Sequence, residues 1–179
     1  MKLFKKLAAA ALAAVLALSM VGCGNANSVN STKQLVLDMM ADYAALDESE
    51  FSNTAEMDGI AQKLLTEANA AYQDETQTDK TVKALMRAVA EKEGILKEGT
   101  GYEISFVEDY QFKSSLIPEV QKQLMLMQMM DTIELNGGIA LDATKLDVGV
   151  AVGKIGDKTY AVVVMTSAET AAPGTPDGD

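Results

Sequence analysis

Four methionines, Met125, Met127, Met129 and Met130, stand close together, and thioethers are soft ligands of the kind that hold copper(I). Met127 and Met130 are three residues apart and share a helix face, whereas Met125 and Met129 fall on another. The chain has no His and one Cys, so nothing supports these thioethers as ligands. Adaptable filler of a buried helix is the reading that fits them. The acidic run Asp47-Glu48-Ser49-Glu50 has the composition of a calcium loop. The EF-hand pattern asks for Asp or Asn at its fifth position and Gly at its sixth. Counted from Asp47, those positions hold Phe51 and Ser52, so a solvated run at a helix end is expected instead. Glu108-Asp109, beside Tyr102 and Tyr110, could form a carboxylate pair, but neighbours on a strand point to opposite faces. Gly149 to Gly153-Lys154 has three intervening residues where a phosphate loop needs four, and Ile155 replaces the required hydroxyl.

Composition removes further chemistry. Without His there is no Ser–His–Asp or Cys–His nucleophile and no His-ligated zinc. Neither Gly-x-Ser-x-Gly nor Ser-x-x-Lys occurs, which leaves the His-free serine route unsupported. One Cys cannot form a disulfide within the chain. The net charge of −11 offers no bulk positive field to nucleic acid. No cofactor is implied.

The elements that must position any site read as helices first. Leu35, Val36, Met39, Met40, Tyr43 and Leu46 recur at helical spacing. Asn53 with Glu56 predicts a capping box opening a second helix, faced by Met57, Ile60, Ala61, Leu64, Leu65, Ala68 and Tyr72. Asp79 is a candidate cap for a third, with Val82, Leu85, Met86 and Val89 inward and Gly94 as its stop. Tyr102, Ile104 and Phe106 alternate with polar residues and predict a strand. A fourth helix is expected after Ser115, with Pro118 in its first turn, Ile133 on its apolar face and Gly137-Gly138 at its end. Leu146–Lys154 and Lys158–Thr166 flank Gly156-Asp157 as a hairpin. Along its first strand Val148, Val150 and Val152 share one face, and Gly149, Ala151 and Gly153 the other. A Gly/Ala face admits a close helix, so a small, mainly antiparallel sheet covered on both faces, a layered α/β/α arrangement, is expected. The folded domain is expected over 32–166, with a polar tether at 23–31 and a disordered acidic tail at 167–179.

The N-terminus carries Lys2, Lys5 and Lys6, then the apolar run Leu7–Leu18, then Ser19-Met20-Val21-Gly22-Cys23. A basic region, a short apolar core and a small residue before a cut describe a secretory signal peptide over residues 1–22. The apolar run is shorter than the roughly 20 residues of a spanning helix. Met20-Val21-Gly22-Cys23 resembles the lipobox of bacterial lipoproteins, with Met20 where that pattern prefers Leu. The resemblance implies a diacylglycerol on the Cys23 thiol, with an ordinary signal peptide as the alternative. Removal of the signal takes away three lysines and no acid, moving the net charge from −11 to −14. A chain so acidic is repelled by anionic headgroups, so acyl chains must hold it at the membrane.

Val148-Gly149-Val150-Ala151-Val152-Gly153, followed by Gly156-Asp157-Lys158-Thr159-Tyr160-Ala161-Val162-Val163-Val164, is similar to the closing hairpin of secreted CAP (SCP-like) domains. Gly101-Tyr102-Glu103-Ile104 also resembles that family's Gly-Glu-Asn-Ile strand, although Tyr102 interrupts the match. The resemblance implies a CAP-like fold over about 32–166 and assigns Glu103 to a conserved acid position. CAP metal cavities use two His, so the resemblance implies the fold without the metal site. The expected protein is a lipid-anchored module on the extracytoplasmic face of the cell membrane, binding a ligand or another protein. A cell-envelope hydrolase using paired carboxylates is the alternative, and Met-based copper handling a weaker one.

Overall fold

The structure, a computed structural model, describes residues 26–46, 49–108, 132–139 and 143–167. Along the chain run α1 (Ala26–Leu46), β1 (Glu50–Asn53), α2 (Ala55–Gln73), α3 (Val82–Ala90), β2 (Tyr102–Glu108), β3 (Ile133–Leu135), β4 (Lys145–Ile155) and β5 (Lys158–Ser167). The strands form one five-stranded sheet in the order β1-β4-β5-β2-β3. The β1–β4 pair is parallel and the others antiparallel, so the sheet is mixed.

The predicted hairpin is present one residue longer at each outer end, and Gly156 supplies φ +65° at its turn. Its two faces bury separately. Val148 and Val150 of β4 and Ala161, Val163 and Met165 of β5 pack with Val36, Met39, Met40 and Ala44 of α1. Ala151, Tyr160, Val162 and Val164 pack with α2 and α3 through Met57, Ala61, Leu64, Leu65, Leu85 and Met86. A helix therefore covers each face. The Gly/Ala face receives α2 at backbone distance: a Cβ on Gly149 would collide with the Met57 carbonyl, and one on Gly153 would lie 2.8 Å from Leu65 Cδ2.

Several local expectations are corrected. Helix α1 begins at Ala26, inside the stretch expected as a tether through Ser31, and no Gly or Pro interrupts it up to Leu46. Thr54, not Asn53, caps α2, its side chain accepting from the Met57 N–H. Asn53 instead ends β1, a strand hidden in the sequence by the acidic run before it. Thr81, not Asp79, caps α3 through the Ala84 N–H, while Asp79 accepts from the Thr81 N–H. Ile133 lies in strand β3 rather than on a helix, paired with Ile104, and Asn136, Gly137 and Gly138 follow it at positive φ. The rest of the expected fourth helix, including Met125–Met130, lies outside the described residues. So do Cys23, the signal segment and residues beyond Ser167, and Ser167 itself closes β5. No described helix is long and apolar enough to cross a membrane.

Candidate functional site

Asp147 and Thr166 sit directly opposite each other on β4 and β5, on the face that carries Gly149, Ala151, Val162 and Val164. One step further along that face the first turn of α2 ends the helix cover. A cleft of about 310 Å³ opens there, with Asp147, Thr166 and Tyr102 along the sheet. Thr54, Glu56 and Met57 of the α2 entry form one wall, and Lys97 and Thr100 of the α3–β2 connection form another. Thr166 and Tyr102 are buried, Asp147 and Thr100 half-buried, and Glu56 and Lys97 exposed at the rim.

The local chain is built to hold this corner. Thr166 Oγ1 donates to the Gly101 carbonyl at 2.8 Å, tying the end of β5 to the start of β2. Asn136 Nδ2 donates to the Thr100 carbonyl at 3.0 Å. Gly101 passes so close to the β3 turn that a Cβ there would collide with the Gly138 carbonyl oxygen. The Lys97 N–H donates to Tyr102 Oη at 3.3 Å, which leaves the phenol O–H available as a donor. Two buried polar atoms of the lining, Asp147 Oδ1 and Thr100 Oγ1, have no hydrogen-bond partner among the described residues. Burying such groups costs free energy unless a partner reaches them.

A second polar cluster nearby is complete. Asp58 Oδ2 accepts from Lys33 Nζ of α1 at 2.6 Å, and its Oδ1 accepts from Asn53 Nδ2 and the Val150 N–H, each at 2.9 Å. Burial pushes this carboxyl upward, but Lys33, the Val150 N–H and Asn53 together hold it below its ordinary value. Asp58 thus clamps α1, β1, α2 and β4 through both of its carboxylate oxygens. Where β1 stops, Asp58 and Asn53 take over the pairing of the β4 edge, at Val150 N–H and the Val148 carbonyl.

Glu103 is not part of the cleft. It lies on β2 between Tyr102 and Ile104, whose side chains face α2 and α3, so it projects to the other face, opposite Glu134 on β3. Its Oε1 accepts from the Ile139 N–H at 3.4 Å. Glu108 pairs with Lys158 at 3.0 Å, while Asp109 and Tyr110 lie outside the described residues. Ser49 donates to the Ala143 carbonyl, Glu50 belongs to β1, and the acids before them lie outside the described residues. Among the described residues no three His, Cys, Asp or Glu side chains could hold a metal ion together.

Glu56, Met57 and Tyr102 are legible only as parts of their elements, and the cleft escapes sequence reasoning because its residues come from separate segments. One signal was present. Asp147 shares strand parity with Gly149, Ala151 and Gly153, so a carboxylate stands on a face otherwise reserved for a packed helix. Comparison with known proteins finds no family model, no curated protein and no solved structure that matches the chain.

Proposed function

We propose that the protein is a lipid-anchored extracytoplasmic binding module whose cleft at the end of the sheet takes a small polar ligand. One observation carries the binding half: a cavity of about 310 Å³ whose lining includes two buried polar atoms without partners among the described residues. The anchor half rests on Lys2, Lys5, Lys6, the apolar run and Gly22-Cys23. The two halves separate in experiment. A Cys23→Ala chain is expected to leave the membrane fraction and to lose the mass of its acyl groups. If it stays membrane-bound at unchanged mass, lipidation at Cys23 is wrong. For binding, the amide resonances of Thr100, Asp147 and Thr166 are followed in detergent micelles while amino acids, neutral sugars and small organic anions are added. Shifts confined to the cleft support the reading, and a panel that moves none of them removes it.

A second reading has one observation in its favour. Glu56 and Asp147 both line one cleft, and a carboxylate-based envelope hydrolase works with two acids on one cleft, about 5–9.5 Å apart. Release of reducing sugar from cell-wall glycan, abolished by both Glu56→Gln and Asp147→Asn, is its test.

A further inference from the structure

The charges of the cleft identify the class of ligand, an inference that rests on the binding reading above. Glu56, Asp147 and Lys97 all line it, and none of the three forms an ion pair among the described residues. Elsewhere on the molecule Lys33 meets Asp58, Lys92 meets Glu67 and Lys158 meets Glu108, while Lys63 and Lys80 donate to backbone carbonyls. In the cleft, opposite charges face one cavity and do not meet. One basic and two acidic residues line the cavity, with a gap between them longer than an ion-pair contact.

Each simple ligand class leaves something uncompensated in that gap. A small anion attracted by Lys97 faces two carboxylates. A small cation drawn by the carboxylates faces Lys97. A neutral sugar can satisfy hydroxyls but leaves the half-buried Asp147 carboxylate without a counter-charge. A molecule carrying both signs a few ångströms apart satisfies all three. We infer that the cleft binds a zwitterion of the α-amino acid class, its carboxylate toward Lys97 and its ammonium toward Asp147 and Glu56. Asp147 Oδ1 is an acceptor in need of a donor, which an ammonium supplies as a charge-assisted bond. Thr100 Oγ1, also without a partner among the described residues, and the Tyr102 O–H can add neutral bonds. The size agrees: about 310 Å³ stands at the lower end of small-molecule sites, room for one amino acid rather than a long peptide. Met57 offers an apolar surface for the ligand's side chain.

The test is calorimetric titration of the full-length chain in neutral detergent micelles with a mixed set of free L-amino acids, then with each binder's N-acetyl and methyl ester forms. At least one free amino acid is expected to bind, and each blocked form to bind at least about tenfold more weakly. Lys97→Met, at an exposed position, is expected to weaken the free acid about tenfold and to leave the methyl ester unchanged. Asp147→Asn should do the reverse, weakening the ester and sparing the N-acetyl form. Binding of a neutral sugar with no response to amino acids overturns the zwitterion and leaves the binding module standing. Equal binding of free and blocked forms also overturns it. A cleft that responds to no compound removes both readings together.

Discussion

The same face of β4 is used in two opposite ways a few residues apart. From Gly149 to Gly153 side chains are reduced to nothing or a methyl, and α2 presses onto the strand backbone. At Asp147, one step beyond, the side chain is a carboxylate, the helix has ended, and a cavity opens. Close packing and an unfilled polar corner thus share one strand. The contrast shows how a small domain can hold a polar site rigidly. The glycines fix where the first turn of α2 lies, and that turn forms a wall of the cleft. The packed region contributes stability, and the polar corner gives some of it up through buried groups without partners among the described residues.

That contrast can be broken at its strongest point first. Gly149→Leu forces a side chain into the Met57 backbone and is expected to destabilise by about 3 kcal/mol or to prevent folding. Urea unfolding measures it. A loss under about 1 kcal/mol would mean that close approach does not fix α2. Next comes the clamp. Asp58→Ala leaves Lys33, Asn53 and the Val150 N–H without their acceptor and should cost about 1–3 kcal/mol at neutral pH. Because the folded Asp58 carboxyl lies below its ordinary value, its contribution is full above about pH 4. It is lost as pH falls through the folded pKa. The gap between wild type and variant should therefore close in acid, and a gap constant with pH would show that the charge contributes nothing. The smallest effect sharpens the other side of the comparison. Thr100→Val removes a buried hydroxyl without a partner among the described residues and is expected to raise stability of the ligand-free chain by about 1 kcal/mol. A thermal melt that falls instead would show that this hydroxyl is already satisfied.

How much was legible follows the same division. The hairpin, the strand at Tyr102 and the apolar stripes of three helices repeat at short range, so periodicity exposes them. The Gly/Ala stripe on β4 even foretold which face would receive a helix closely. Strand β1 was hidden because its four residues carry no alternation of their own and gain their place by pairing with β4. Ile133 reads as helical in the sequence because a lone apolar residue near the end of a long apolar run fits either period. The caps moved by one or two residues because Asn53, Thr54, Asp79 and Thr81 are all competent acceptors, and only the entry angle of the chain selects among them. The cleft was least visible. Lys97, Asp147 and Thr166 are ordinary residues in their own segments and become a site only through the sheet order.

The parallel pairing of β1 with β4 has a kinetic consequence. Asn53 and Val148 are 95 residues apart, whereas β4 and β5 are joined by a two-residue turn. Closing so long a loop costs entropy before any contact rewards it, so the hairpin can form early and β1 must dock late. The last strand to arrive leads directly into α2, whose first turn walls the cleft. The polar corner is therefore among the last parts of the domain to exist during folding and among the first to dissolve in a partial opening. Amide exchange at β1 would report on the integrity of the cleft well before the hairpin lost any protection.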